Sequence, residues 1–353
     1  MNERNGTVLV TGAGGFIGGR VVELFHIKYG YQVRANIRKW AKAARIGRFP
    51  IDMRVFDINN ENELRKGMNG VDYVVHCAVG SPEDTVDGTR LLLRVTKEFH
   101  VKKFIHLSTV EVYDSVQTGV IEEGAPIVKN GDQYGDLKVE AEKLCWESIK
   151  QGLPVVILRP SIVYGIFSKY WSVRPVERMT SGYWMLPNGV GNGQCNLIYV
   201  DDLVASIHQC IQNDESTGKA FNINSSENVT WREYFSLISD SIGKPLATPS
   251  NDLGVKVANA LLRPIKFAVK LVLGRLRPII FKLYERYHVA KVVMKRAETI
   301  LKSSVDPSEQ KLFEKNVRYS NRRAIEILHF SPTPVRDGLR VTAEWLKFSG
   351  YLS

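Results

Sequence analysis

The sequence predicts an α/β fold: a doubly wound parallel sheet with helices on both faces, followed by a smaller C-terminal lobe. Three observations predict it: β-rich runs alternate with helical patterns through the first half, the first run enters a glycine-rich turn and a helix, and the pattern becomes mixed after residue 165. Thr7 to Val10, Gln32 to Ile37, Met53 to Phe56, Tyr73 to Cys77, Phe104 to Ser108 and Val155 to Leu158 read as strands. Between them Phe16 to Tyr29, Asp84 to His100 and Gln133 to Gln151 carry apolar residues at helical spacing. Later, the glycine-rich PNGVGNG precedes the apolar CNLIYV, and Ala220 to Ile223 reads as a further strand, so the chain is expected to cross between two lobes. The expected division is a sheet domain over 1–165, completed by 196–224, and a substrate lobe from 166–195 and 225–353.

With 353 residues, 44% of them hydrophobic, the chain can bury one large core or two joined lobes. The start, MNERNGTVLVTGAGG, has no signal-peptide pattern and no run of 18 apolar residues follows, so the expectation is a cytoplasmic protein without a membrane span. Cys77, Cys145, Cys195 and Cys210 are far apart with no C-x-x-C, which fits buried thiols rather than disulfides or a metal site. The net charge is +11, and Leu253 to Arg296 holds eleven Lys or Arg against the single acid Glu285. Within it Arg263, Lys266 and Lys270 share one helical face and Leu261, Ile265, Val269 and Val272 the opposite one. Such a basic amphipathic segment, 253–296, suits peripheral attachment to an anionic membrane surface, with a lid or an oligomer contact as alternatives. A nucleic-acid partner is set aside, because aromatic stacking motifs are missing.

The first strand runs into TGAGGFIGG, with Gly12, Gly15 and Gly18 at T-G-x-x-G-x-x-G spacing and a helix opening at Phe16 and Ile17. Glycines let the backbone turn tightly and approach a pyrophosphate, and the helix N-terminus offers free N–H groups to phosphate. This is the Rossmann dinucleotide signature. After the second strand, VRANIRKWAK has no acid to bind an adenosine 2'-hydroxyl but has Arg38, Lys39 and Lys42, which favours NADP over NAD. Lys39 and Lys42 also read as a solvated loop. Asp57, in VFDI, either receives the adenine amino group or caps the next helix.

In QYGDLKVEAEK, Tyr134 and Lys138 sit one helical turn apart, as do Tyr287 and Lys291 further on. Spacing cannot separate the two pairs, but address can: Tyr134 opens a helix after the fifth strand and its Ser-Thr. The ordered motifs TGAGGFIG, HCAVG, LSTVEVY, YGDLK, LRPSIVYG and IYVDDL resemble those of extended short-chain dehydrogenases/reductases of the NAD-dependent epimerase/dehydratase group. The likeness spans roughly residues 7 to 345, and the apolar, basic segment is similar to sterol-dehydrogenase-like members. The resemblance implies a catalytic set of Thr109, Tyr134 and Lys138, with Ser108 as second choice for the hydroxyl. It also implies cofactor contacts from Ile58, Cys77, Ala78, Pro160 and Ser161, and a homodimer. In physical terms Lys138 is expected to favour the Tyr134 phenolate and Thr109 to position the substrate oxygen.

Two departures bear on the reaction. Similar dehydratases have Thr-Asp-Glu where this chain has Thr109-Val110-Glu111, which demotes dehydration and leaves Glu111 either a second acid/base or a loop residue satisfied by backbone. Many nucleotide-sugar enzymes of the group have Arg-Asp where this chain has Cys195-Asn196, and a thiol cannot replace a guanidinium fork. Arg174 is either a compensating cation or a surface residue. The expected function is NAD(P)-dependent hydride transfer at a secondary alcohol or ketone of a lipophilic or lipid-linked small molecule that can include a sugar. The alternatives are a nucleotide-sugar 4-epimerase and a non-catalytic dinucleotide-sensing protein.

Overall fold

The computed structural model describes residues 5–113, 118–180, 186, 189–244 and 307–352. The basic segment 253–296, and with it Tyr287 and Lys291, lies outside the described residues. The described strands are β1 (Thr7–Thr11), β2 (Gln32–Ile37), β3 (Asp52–Val55), β4 (Tyr73–His76), β5 (Lys103–Leu107), β6 (Thr118–Ile121), β7 (Val155–Pro160), β8 (Ile162–Tyr164), β9 (Leu197–Tyr199), β10 (Ala220–Ile223) and β11 (Asn316–Tyr319). The helices are α1 (Phe16–Ile27), α2 (Glu61–Met68), α3 (Gly88–Glu98), α4 (Gln133–Lys150), α5 (Arg174–Thr180), α6 (Val200–Gln212), α7 (Trp231–Ile242), α8 (Pro307–Glu314), α9 (Arg322–Leu328) and α10 (Val335–Phe348).

Seven strands form one sheet in the order β10-β7-β5-β4-β1-β2-β3, every neighbouring pair parallel. Parallel strands covered on both faces read as continuous apolar runs, and every residue of β5, β7 and β10 is buried. Leu9, Val74, Phe104, Leu92 and Ile157 meet in one core cluster. From β1 the chain runs outward to β2 and β3 and then returns to β4 on the other side of β1, so the loops leaving β1 and β4 diverge. That switch point opens a crevice at the carboxyl edge of the sheet.

The main departure from the expected elements is α2, whose ENELRKGM is too polar to announce a helix by periodicity. It buries only Leu64, Gly67 and Met68, and its start is fixed by the Asn60 side chain accepting from the Glu63 N–H at 3.2 Å. The helix expected from Asp84 is regular only from Gly88, because Glu83–Asp87 form a wider, π-type turn.

The chain divides into two compact units. The first comprises Met1–Ser168, Asn196–Glu227 and Val317–Gly338, and the second Lys169–Cys195, Asn228–Asn316 and Leu339–Ser353. Residues 317–338, expected in the second lobe, therefore belong with the sheet. The reason is local bonding: β11 pairs with β6, Thr333 donates from its N–H and hydroxyl to Asp202 at 2.8 and 2.7 Å, and the Val335 N–H donates to Glu227 at 2.7 Å. The second unit has its own aromatic core, in which fully buried Trp231 packs 4.5 Å from Phe313 and 5.4 Å from Trp171, ring centre to ring centre. Its α7 opens with a Thr230/Glu233 capping box.

Polar residues interrupt the apolar sheet in one row near its carboxyl edge, where Thr11 is in register with His76 and His76 with His106. Thr11 Oγ1 lies 2.7 Å from His76 Nδ1, and His76 Nε2 lies 2.9 Å from Thr89 Oγ1. His106 is completely buried and neither ring nitrogen has a hydrogen-bond partner among the described residues. Burial, reinforced by the charge on Lys138, pulls His76 down to about 3 and His106 well below the usual imidazole value. Both folded values lie below the ordinary 6.5, so the unfolded chain takes up these protons first as pH falls. Stability is therefore expected to drop from about pH 6.5 toward 4, with each ring adding up to about 1.4 kcal/mol per pH unit. Denaturant titrations at several pH values check this, and His106→Leu should flatten the dependence.

Candidate active site

The turn after β1 is shaped by Gly12, whose φ of +68° suits glycine and whose missing Cβ leaves the backbone against Cys77 and Ala78; a Cβ there would lie 2.8 Å from the Cys77 carbonyl. The Ala13 N–H donates to the Asn36 carbonyl at 3.2 Å, and Asn36 Nδ2 donates to the Phe56 carbonyl at 2.9 Å, so the turn, β2 and the end of β3 are tied together. The N-terminus of α1 has no capping side chain and no acid in its first turn. A cleft of about 680 Å³ opens beside it.

Of the residues expected to hold a cofactor, Gly12, Gly15, Arg38, Asp57, Ile58, Cys77 and Ala78 line this cleft. Lys39 and Lys42 line it too, together with Gly14, Asn36, Ile37, Val79 and Asp84, which the sequence had not singled out. Asp57 lines the cleft, and its Oδ1 accepts from the Asn59 N–H at 2.9 Å in a local turn; the cap of α2 is Asn60 rather than Asp57. Phe16 and Ile17 are half-buried and Gly18 is buried within α1, outside the lining. Pro160 and Ser161 do not line the cleft either, because the Ser161 hydroxyl turns to Asn224 Oδ1 at 2.8 Å. Glycine backbone, an uncapped helix start and three cations around a cleft of this size fit a dinucleotide. Arg38, Lys39, Lys42 and Asp57 would hold its adenosine portion, with the α1 N-terminus facing its phosphates.

The candidate catalytic residues gather where β5 ends. Thr109 is buried and its Oγ1 accepts from the Glu111 N–H at 3.2 Å, capping a short 3-10 turn over Val110–Val112. α4 starts at Gln133 with Asp132 as its cap, Asp132 Oδ2 accepting from the Gly135 N–H at 2.7 Å. Gly135 lets this helix approach the turn: a Cβ would lie 2.9 Å from the Glu111 carbonyl. Tyr134 is thereby brought beside Thr109.

The Tyr134 side chain is ringed by protein yet 44% exposed, and burial pushes its phenol up to about 12. The neighbouring Thr109 hydroxyl works against that rise, while Glu111 and Asp132 add to it. Lys138 is 4% exposed, and its ammonium donates to the Leu107 carbonyl at 2.7 Å. Burial pulls it down to about 8, opposed by Cys77, Cys145 and Glu142. The shift of the Tyr134 phenol thus comes from burial, Thr109, Glu111 and Asp132, and the Lys138 ammonium is turned to the Leu107 backbone. Cys77 is half-buried, lines the cleft and is pushed up to about 12 by burial, so it is an un-ionised wall residue.

Further along α4, at the next turn after Lys138, Glu142 is fully buried. It forms an ion pair with Arg159 of β7, whose Nε lies 3.1 Å from both carboxylate oxygens, and it also accepts from Ser108 Oγ at 2.6 Å and Trp146 Nε1 at 3.0 Å. Ser108 is therefore committed to Glu142, which leaves Thr109 as the hydroxyl beside Tyr134. Arg159 Nη1 donates in turn to Tyr113 Oη at 2.7 Å and to the Glu123 carbonyl at 3.0 Å. Nothing in spacing or periodicity points to this pair. Elsewhere, Cys195 is buried, Asn196 donates to the Val317 carbonyl at 2.8 Å, and Arg174 pairs with Glu309 at 3.3 Å.

Residues 8–224 match the NAD dependent epimerase/dehydratase family. The chain belongs to that family. It is an NAD(P)-dependent extended short-chain dehydrogenase/reductase. It is 26% identical over 260 residues to a UDP-glucose 4-epimerase of Vibrio cholerae, covering 68% of this chain and 76% of that protein. It is 23% identical over 259 residues to the N-acetyl-alpha-D-glucosaminyl-diphospho-ditrans,octacis-undecaprenol 4-epimerase of Escherichia coli O157:H7, covering 69% of this chain and 74% of that one. Its fold resembles the crystal structure of a UDP-glucuronic acid 4-epimerase from Bacillus cereus in complex with NAD, with a TM-score of 0.70, 20% identity and coverage of 97% and 96%.

Two outcomes are expected from this geometry. Glu142→Leu leaves Arg159 buried without its partner and should cost about 3–5 kcal/mol in denaturant unfolding, far more than an exposed ion pair. In an NMR titration of lysine ε-carbons, one lysine should titrate near 8 and disappear in Lys138→Arg.

Proposed function

We propose that this protein transfers hydride at a secondary alcohol or ketone carbon of a lipid-linked small molecule that can carry a sugar, using a nicotinamide dinucleotide held in the Gly12 cleft. The observation that carries the reading is the pairing of Thr109 with a protonated, solvent-reachable Tyr134 at the same carboxyl edge as that cleft. The dinucleotide supplies or accepts the hydride. Tyr134 then donates its proton to the ketone oxygen as the alcohol forms, while Thr109 hydrogen-bonds the same oxygen. Lys138 keeps a positive charge one helical turn from Tyr134 at neutral pH, and Glu111, whose charge reaches the Tyr134 phenol, is the candidate second acid/base.

For the cofactor, the lack of an acid after β2 and the presence of Arg38, Lys39 and Lys42 in the cleft support NADP as the preferred form. For the substrate, Cys195-Asn196 in place of an arginine-bearing motif weakens a nucleotide diphosphate, and the similar E. coli enzyme is named for a lipid diphosphate sugar. The likeness to the V. cholerae enzyme favours a second reading, nucleotide-sugar 4-epimerisation. Net turnover separates them: consumption of NADPH with a ketone supports the first, and sugar interconversion without change in NAD(P)H absorbance supports the second. The basic segment 253–296 supports attachment to an anionic membrane face, and the second unit is assigned to the substrate. A homodimer formed through helices of the sheet unit accompanies this reading.

Tyr134→Phe is expected to lower turnover about a hundred- to ten-thousandfold while dinucleotide affinity, measured by calorimetry, changes only a few fold. Tyr287→Phe should leave turnover intact. Neutralising Arg263, Lys266 and Lys270 together should abolish sedimentation with anionic liposomes, and unchanged sedimentation would reject the membrane contact.

A further inference from the structure

Arg38 is the first residue after β2, and Asp84 comes from the turn between β4 and α3; both line the same cleft, and Arg38 Nη1 meets Asp84 Oδ2 at 2.7 Å. The two members of this bridge are not equivalent. The Arg38 side chain is 56% exposed, whereas that of Asp84 is 14% exposed and built into its turn. The Ser81 N–H donates to Asp84 Oδ2 at 3.3 Å, and the Asp84 N–H donates to Ser81 Oγ at 3.2 Å. Gly80 makes room for the carboxylate, since a Cβ there would lie 2.3 Å from Asp84 Oδ2. The acid is the fixed partner, and the guanidinium reaches to it. Lys39 and Lys42 line the cleft without an ion pair among the described residues.

We propose that Asp84 sets how strongly the cleft distinguishes a dinucleotide bearing a 2'-phosphate from one bearing a 2'-hydroxyl. The inference rests on the dinucleotide reading of the cleft given above. A 2'-phosphate that engages Arg38 either takes Nη1 from the Asp84 carboxylate or shares the guanidinium with it, and in both cases it sits near a carboxylate whose own turn keeps it in place. A 2'-hydroxyl requires no such exchange. The chain therefore accepts both dinucleotides, and Asp84 limits the advantage that Arg38 would otherwise give the phosphorylated one. Asp84 acts through Arg38 and is a positioning residue for specificity.

Calorimetric titration of the full chain with adenosine 2',5'-bisphosphate and with adenosine 5'-phosphate tests this without turnover. Asp84→Asn keeps an oxygen acceptor for the Ser81 N–H, and Asp84→Ser supplies a second variant that can also accept there. In both, the affinity ratio should move toward the 2'-phosphorylated nucleotide by about fivefold or more. In an Arg38→Gln background the same substitutions should leave the ratio unmoved. Equal strengthening of both nucleotides, an unchanged ratio, or a shift that survives Arg38→Gln would each overturn the role of Asp84. Wild-type protein that binds neither nucleotide would instead sink the dinucleotide reading beneath it.

Discussion

Glu142 and Arg159 meet inside the sheet unit with essentially no access to water, and the position of every candidate catalytic group on α4 depends on that meeting. A buried ion pair is costly to desolvate and persists only where its geometry is good and its remaining valences are filled. Here they are filled by Ser108 and Trp146 on the acid and by Tyr113 and the Glu123 carbonyl on the guanidinium. Tyr113 passes the network on to Asn222 of β10 at 2.6 Å. Helix α4, edge strand β10, its neighbour β7 and the loop after β5 are thus held in one register. Apolar contacts could supply the same stability, but they tolerate slippage that directional bonds do not.

From that anchor the site follows by helical geometry. Residues 134, 138 and 142 lie on successive turns of α4, so fixing Glu142 against β7 carries Lys138 to the end of β5 and Tyr134 to Thr109. Lys138 is the second constraint. Its ammonium is buried against the Leu107 carbonyl, and its charge presses down on the row of buried imidazoles that leads through His76 to Thr11 and the glycine turn. The buried imidazoles are therefore neutral, and the one cation beside them is turned to the Leu107 carbonyl. The same low dielectric that makes the Lys138 ammonium a stronger acid raises the Tyr134 phenol, and the two shifts together leave a protonated phenol and a largely charged lysine one helical turn apart at neutral pH. Family membership supplies the hydride chemistry to which that arrangement is suited.

The parts of this protein written into its sequence are those governed by local rules. Strand runs are legible because parallel strands are buried on both faces, the glycine turn because only glycine fits Gly12, and the Tyr134–Lys138 pair because helical spacing and its address after the fifth strand single it out. α2 was hidden because so short and polar a helix is stabilised by its cap and two buried apolar side chains rather than by a periodic face. What only the tertiary structure decided are pairings between residues far apart in the chain. Glu142 found Arg159, Asp84 found Arg38, Thr333 found Asp202, and the Lys138 ammonium turned to the backbone of Leu107. Such contacts leave no period and no motif, because their energy comes from mutual burial and direction after the elements have packed.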